Sequence, residues 1–421
     1  CGPDYIDPMF HRTVLGVPSE NLDPYFEGAD GLRGILARSG GLQVLEGVMG
    51  IYDGRRTGSS CYDVARATGT PVLLLYDAKG TGETMLSLLR GILLDDTDHL
   101  IRGIVINRIS ESFYRQMKPL LGEMLTELGG YTKLIGFLPR TQGIHLESRH
   151  LGLRMPEEIQ DLRNQVTEAA SLIREHCDLE RIRSIMTQAS DLSETAAECG
   201  TPVTSGTGLT LAVARDEAFC FYYEQNLRMF RERGVTIWEF SPVRDRVLPE
   251  DADGILLGGG YPELYAKELS ENTSMTGSIR QAILSGTPSL AECGGFLYLL
   301  EELEAPDGSS YPMTGVFSGK GWNTGKLGRF GYVGISREQD RYQTLLPHDS
   351  VIRGHEFHYY DTDNNGEACL AVRPGRDERW RCMHAGPEHL WGFPHLWYGS
   401  CPEFVEQFIR SMRNHSRREA R

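Results

Sequence analysis

Thr287-Pro288-Ser289-Leu290-Ala291-Glu292-Cys293-Gly294-Gly295-Phe296-Leu297-Tyr298-Leu299-Leu300 is the stretch on which the fold turns. A short apolar run behind a Gly-Thr-Pro turn reads as a buried strand. The paired glycines after Cys293 permit a tight reversal, and Phe296 to Leu303 resumes with helical periodicity. Cys293 is therefore expected on a strand-to-helix elbow at the carboxyl edge of a sheet, near the positive end of a helix, where a thiolate is favoured. The competing reading is a small buried cysteine, which is what most free cysteines are.

Two other segments bear on that choice. Gly254-Ile255-Leu256-Leu257-Gly258-Gly259-Gly260-Tyr261-Pro262-Glu263 is an apolar strand running into a glycine-rich turn, and the bare N–H groups of Gly259 and Gly260 are candidates for an oxyanion hole. Trp391-Gly392-Phe393-Pro394-His395-Leu396-Trp397-Tyr398-Gly399-Ser400 offers a histidine between apolar flanks. A cysteine, a later histidine and a glycine-rich donor loop are the parts needed for acyl transfer through a thioester. Their order and sequences resemble a class I glutamine amidotransferase domain of the cobyrinic-acid type, carried by LGGGYPEL and AECGGFLYL. The resemblance implies that Cys293 attacks the side-chain amide of L-glutamine and that His395 shuttles the proton. Many members of that family carry a second histidine two residues later, and more distant class I amidotransferases place a glutamate there. This chain has Trp397, so no carboxylate stands at that position to orient His395. A Cys–His pair needs less help than a serine would.

Composition frames the rest. At 421 residues the chain is too long for one ordinary core, so two domains are expected. A net charge of −15 argues against nucleic acid and acidic membranes as partners, because phosphates attract basic surfaces. There is no run of 18 apolar residues and no signal-peptide pattern. Nine cysteines without Cys-x-x-Cys spacing fit a reducing compartment, and a cytoplasmic location is the expectation.

The N-terminal half alternates apolar strands (Thr70–Gly80, Ile101–Arg108, Lys133–Arg140) with helical stretches (Thr84–Leu94, Phe113–Leu128), the pattern of a mostly parallel, doubly wound sheet. Leu42–Gly54 also reads as an apolar strand ending in acids and glycines, where Glu46, and after it Asp53, would be placed to hold a magnesium ion bridging nucleotide phosphates. The opening GPDYIDPMFH reads on composition alone as a proline-rich loop with solvated acids. It closely resembles a signature of the cobyrinate a,c-diamide synthases, as does EGVMGIYDG. That resemblance implies that Asp4 and Asp7 lie at the nucleotide and metal site, with Asp7 and Glu46 toward Mg2+, and that Tyr5 and Ile6 lie beside the corrinoid. His145–Leu153 resembles a family segment near the same site.

No G-x-x-x-x-G-K-[ST] occurs in the chain. Such a loop cradles phosphates with backbone N–H groups and a lysine. Family members carry it shortly before the GPDYID signature, so the expectation is a sequence lacking one strand–loop–helix unit of about 30 to 40 residues.

Pro156 to Met186 reads as helical, and Thr187 to Gly208 as a linker poor in large apolar residues. The expected organisation is thus 1–186, an N-terminally incomplete ATP-dependent synthetase domain similar to P-loop NTPases of the dethiobiotin-synthetase type; 187–208, a linker; and 209–421, the amidotransferase domain. Both domains are expected to be doubly wound α/β. Strands Leu209–Ala214 and Val235–Phe240, with helices Tyr222–Arg233 and Ser274–Leu284, restart the pattern. In RGHEFHY, which also resembles a family signature, His355 and His358 are expected in one strand, pointing to opposite faces, so no metal is expected there. A role lining the domain interface or corrinoid cavity is the expectation instead.

GPDYIDPMFH, EGVMGIYDG, LGGGYPEL, AECGGFLYL and RGHEFHY occur in the family's order across the whole chain. The resemblance implies ATP- and glutamine-dependent amidation of the a- and c-acetate carboxylates of cobyrinic acid, through an acyl phosphate and ammonia. Alternatives within that class are hydrogenobyrinate or a nickel sirohydrochlorin as substrate. The alternative outside it is a macrocycle-binding homologue that has lost catalysis.

Overall fold

A computed structural model describes residues 1–141, 143–144, 148–149, 152–153, 161–192, 205–338 and 344–419. The chain divides into two compact units, 1–24 with 28–199, and 25–27 with 200–421.

In the first unit, strands Val72–Asp77, Ile101–Asn107 and Lys133–Leu138 form a parallel sheet in that order. Helices Thr84–Asp95 and Glu111–Glu127 make the crossovers, close to the expected spans. The central strand is almost wholly buried because helices and neighbouring strands cover it, which is why it reads as a continuous apolar run. Met85, Leu89, Ile104, Ile106, Tyr114, Met117 and Leu121 build one core beside it. Helices Leu162–His176 and Leu179–Met186 follow, separated at Cys177 and Asp178, whose side chain caps the second by accepting the Arg181 N–H. Most of the segment around His145–Leu153, and 193–204 of the expected linker, lie outside the described residues.

One expected strand of this unit is absent. Leu42–Gly50 is irregular, with Leu42 81% and Val44 87% exposed. Apolar alternation specifies a strand only where a neighbouring strand supplies hydrogen bonds and a covered face, and no described strand pairs with it.

The second unit is built on a six-stranded sheet in the order His384–Ala385, His389–Gly392, Ser289–Glu292, Gly254–Leu257, Thr210–Ala214, Thr236–Phe240. All neighbours are parallel except the edge pair His384–Ala385 with His389–Gly392. Side-chain alternation sorts the central strands into two layers. Leu211, Val213, Leu256 and Leu290 join Phe404, Phe408 and Met412 of helix Pro402–Glu419 on one side. Ala212, Ala214, Ile255, Leu257 and Ala291 meet helices Ala266–Glu271, Thr273–Leu284 and Gly294–Tyr298 on the other. Each large side chain fully buried here contributes about 1.5–3 kcal/mol.

An antiparallel five-stranded sheet, in the order Arg379–Cys382, Cys369–Val372, Phe330–Arg337, Ile352–Phe357, His395–Trp397, packs Val333, Ile335 and Ile352 into the first of these cores. A four-stranded sheet from Glu302–Glu304, Ser310–Pro312, Lys320–Asn323 and Tyr360–Thr362 completes the unit. The helix expected from Phe296 to Leu303 is shorter, Gly294–Tyr298, because strand Glu302–Glu304 takes over the apolar residues that follow.

Candidate active site

The parallel register aligns the carboxyl ends of three strands. Ala291 lies beside Leu257, and Glu292 beside Gly392. In an open α/β sheet this edge is where ligands and reacting groups gather. Cys293 follows Glu292 immediately and adopts φ +48°, ψ −104°, a left-handed conformation rare for a non-glycine residue. Its N–H donates to the Gly392 carbonyl (2.8 Å), and its carbonyl accepts the Leu297 N–H (3.0 Å) as the first turn of the helix. The elbow expected from the sequence is thus present, at a conformation costing about 1–3 kcal/mol that the surrounding hydrogen bonds hold in place.

The glycine loop lies directly against it. A Cβ on Gly294 would stand 3.1 Å from the Gly260 amide nitrogen and 2.8 Å from Pro262 Cδ, so only a glycine lets the helix start so near the loop. Gly259 and Gly260 pair with Phe221 and Phe219, and Tyr222 supports the approach by accepting the Gly258 N–H at its phenol oxygen (2.9 Å). His395 reaches the same loop from the far sheet. A Cβ on Gly259 would stand 3.1 Å from His395 Nδ1, 3.4 Å from Nε2 and nearer still to Cε1, so the imidazole sets its Cε1 edge against the bare glycine. Cys293, Gly259, Gly260 and His395 are therefore gathered at one place, although 136 positions separate the first glycine from the histidine.

Burial governs the electrostatics. It pushes the Cys293 thiol far up, with the carboxyl groups of Glu263, Glu356 and Glu292 adding to the effect. Burial likewise pushes His395 down to about 3, with His355 and His358 adding. The resting pair is thus a neutral thiol and a neutral imidazole. The expectation of a thiolate favoured by the helix N-terminus is overturned, because a five-residue helix offers less than burial and three acids take away.

His355 pairs directly with His395 across the antiparallel ladder. The strand ends at Phe357, so His358 lies beyond it, donating from Nδ1 to the Tyr360 carbonyl (2.6 Å) and stacking on Phe393 at 4.0 Å. Trp397, two residues past His395, stacks on Phe26 at 5.1 Å and donates its indole N–H to Glu27, residues that belong to this same unit.

In the first unit, Asp4, Asp7 and Glu46 do come together. Asp4 accepts the Ile6 N–H (3.1 Å) at the start of helix Ile6–Phe10, so the opening is a turn running into a short helix. Burial raises Asp7 to about 7, helped by the charges of Asp4 and Glu46 and a hydrogen bond with Asp4. Glu46 faces His11 Nε2 at 2.5 Å, and His11 Nδ1 faces Ser19 Oγ at 2.8 Å. Asp53 instead accepts its own loop's Gly50 N–H (2.8 Å). Tyr5 and Ile6 are buried, at 8% and 6% exposure. Among the described residues no three His, Cys, Asp or Glu side chains are disposed around a common metal position.

Residues 210–386 match the family described as CobB/CobQ-like glutamine amidotransferase domain, a span containing Cys293, Gly259 and Gly260 and stopping short of His395. Over 416 residues the chain is 34% identical to the cobyrinate a,c-diamide synthase of Clostridium acetobutylicum, covering 97% of this chain and 91% of that one. It is 38% identical over 395 residues to the enzyme of that name from Listeria monocytogenes, covering 91% and 85%. The chain belongs to the cobyrinate a,c-diamide synthase family. A fainter likeness is to the solved structure of PurLQS from Thermotoga maritima, at 16% identity and a TM-score of 0.34, covering 49% of this chain and 99% of that one.

For this member of the cobyrinate a,c-diamide synthase family, the structure adds site residues that sequence reasoning missed. Glu292 accepts the Tyr398 phenol (2.8 Å), and Asn226 donates to the Leu396 carbonyl (2.7 Å) while accepting the Tyr398 N–H (2.9 Å). Glu292 was visible in principle, as an acid ending an otherwise apolar buried strand. Asn226 gave no signal beyond being polar on the apolar side of helix Glu224–Glu232.

Proposed function

We propose that this chain catalyses glutamine-dependent amidation of corrinoid acetate carboxylates, with cobyrinic acid as the substrate and ATP as the activating co-substrate. The observation that supports it most is the meeting of Cys293, on its strained elbow, with the Gly259–Gly260 loop and His395, in a chain that aligns over nearly its whole length with relatives so named. In this reading His395 takes the proton from Cys293 Sγ, and the sulfur attacks the side-chain carbonyl of glutamine. The amide N–H groups of Gly259 and Gly260 receive the oxyanion. Proton return to the leaving nitrogen releases ammonia, and water then attacks the thioester, giving glutamate and restoring the thiol. Ammonia displaces phosphate from an activated carboxylate of the macrocycle.

Magnesium needs one or two carboxylates, with substrate phosphates and water completing its shell. Asp7 and Glu46 suit that demand, because a cation beside them would offset the burial and the charges of Asp4 and Glu46 that together raise Asp7. Asp7 and Glu46 would hold the ion, which when bound would neutralise phosphate charge during acyl activation. The 421 residues contain no phosphate-cradling Gly-Lys-Ser/Thr loop, so ATP is the part of the reading that its test must address directly.

The test is amide formation on cobyrinic acid, hydrogenobyrinic acid and nickel sirohydrochlorin, each with ATP and either glutamine or ammonium. Cys293→Ser is expected to abolish the glutamine-driven reaction while leaving the ammonium-driven one. Amidation of none of the three macrocycles, with no glutamate released, would overturn the reading in favour of a binding homologue.

A further inference from the structure

The strand that carries His395 is held from two sides. Asn226 grips the Leu396 carbonyl and the Tyr398 N–H from the helix side. From the sheet side, Tyr398 donates its phenol to Glu292 Oε1 at 2.8 Å, and the same carboxyl group faces the Leu396 N–H. Glu292 is 6% exposed and Tyr398 1% exposed, the latter packed edge-on against Phe230 and Phe404. A carboxyl group is costly to bury, and burial here raises Glu292 to about 8. The core around it is apolar and would accommodate an apolar side chain without that cost. What distinguishes the position is its place between the reacting groups: one residue before Cys293, and bonded to the backbone one residue, and to the side chain three residues, after His395.

We propose that Glu292 is a positioning residue of the glutaminase centre, its carboxyl group tying the His395 strand to the Cys293 strand through Tyr398 and Leu396. It does the work that an acid two residues past the histidine does in more distant class I amidotransferases, where this chain has Trp397. The ring of His395 is thus aimed by fixing the backbone that follows it. The inference rests on the glutaminase reading above.

The test measures glutamate release against glutamine concentration for the full chain and for Cys293→Ser, Glu292→Gln, Glu292→Leu and Tyr398→Phe. Thermal unfolding and alkylation of Cys293 by a chloroketone analogue of glutamine are followed in parallel. Glu292→Leu is expected to lower kcat on the order of 100-fold, the scale for misplaced reacting groups, with KM changed less than about threefold. Glu292→Gln retains a carbonyl acceptor for both donors and is expected to recover to within about tenfold of the parent, with Tyr398→Phe losing about tenfold. A kcat for Glu292→Leu within threefold of the parent, a loss confined to KM, or no rescue by Gln overturns the proposal. Should Glu292→Leu fail to fold, an unchanged kcat for Tyr398→Phe overturns it instead. A parent chain that releases no glutamate is a different failure, that of the glutaminase reading itself.

Discussion

Substituting Gly259 by alanine adds one methyl group where the His395 imidazole rests. The new Cβ would lie 3.1 Å from Nδ1 and 3.4 Å from Nε2, and nearer still to Cε1. Carbon atoms settle at about 3.5–4.0 Å, so the Cε1 edge of the ring must withdraw by more than about 1 Å. It has little room to do so, because His395 is only 3% exposed and its strand is bonded on both edges. Misplacing a reacting group by about 1 Å costs on the order of 100-fold in rate, or about 2.7 kcal/mol of barrier. Overpacking of this size costs about 1–3 kcal/mol of stability. The assay is kcat for glutamate release at saturating glutamine, with thermal unfolding as the check that the chain still folds. We expect kcat to fall about 100-fold while Cys293, untouched by the change, is still alkylated by the chloroketone. A folded Gly259→Ala enzyme within threefold of the parent kcat would refute the packing argument, since the ring could not then rest on Gly259 during turnover.

Asn226→Ala removes two buried hydrogen bonds from the histidine strand, and we expect a loss of about 2–3 kcal/mol in denaturant unfolding together with lowered kcat. Glu356 is 1% exposed and raised to about 7 by burial, above its ordinary 4.5. The folded state therefore holds this proton over pH 4.5 to 7 while the unfolded state releases it, so Glu356 weakens folding increasingly as pH rises through that window. Glu356→Gln is accordingly expected to raise Tm more at pH 8 than at pH 5, and an equal or reversed gain would contradict this. Ser60 caps helix Cys61–Thr68 by accepting the Asp63 N–H, with Asp63 reciprocating, so Ser60→Ala should cost about 1 kcal/mol, read as a shifted denaturant midpoint.

Much of the amidotransferase unit was legible because its parallel strands are buried on both faces and read as short apolar runs between glycines. Thr210–Ala214, Gly254–Leu257 and Ser289–Glu292 were all visible in that way. Cys293, Gly259, Gly260 and His395 could be named as candidates, because a glycine loop, an elbow and a late histidine are local patterns. Their meeting could not be derived locally, since strand order in a sheet depends on crossovers that sequence alternation does not encode. Electrostatics was misjudged for a related reason: a helix N-terminus can be read from glycines, whereas the acids around Cys293 come from 263, 292 and 356. Leu42–Gly54 shows the converse failure, an apolar pattern without a strand partner. The clamp made by Asn226 and by Glu292 with Tyr398 joins residues more than a hundred positions apart, and only the folded chain makes it readable.

The hydrogen bond from Cys293 to Gly392 has a temporal meaning as well as a geometric one. Synthesis proceeds from the N-terminus, so Cys293 and its glycine loop emerge roughly a hundred residues before the strand that brings His395. Until His389–Gly392 docks beside Ser289–Glu292 and His395–Trp397 pairs with Arg353–His355, His395 has not reached the glycine loop. On the glutaminase reading proposed above, a chain still being made releases no ammonia, because its proton carrier arrives last.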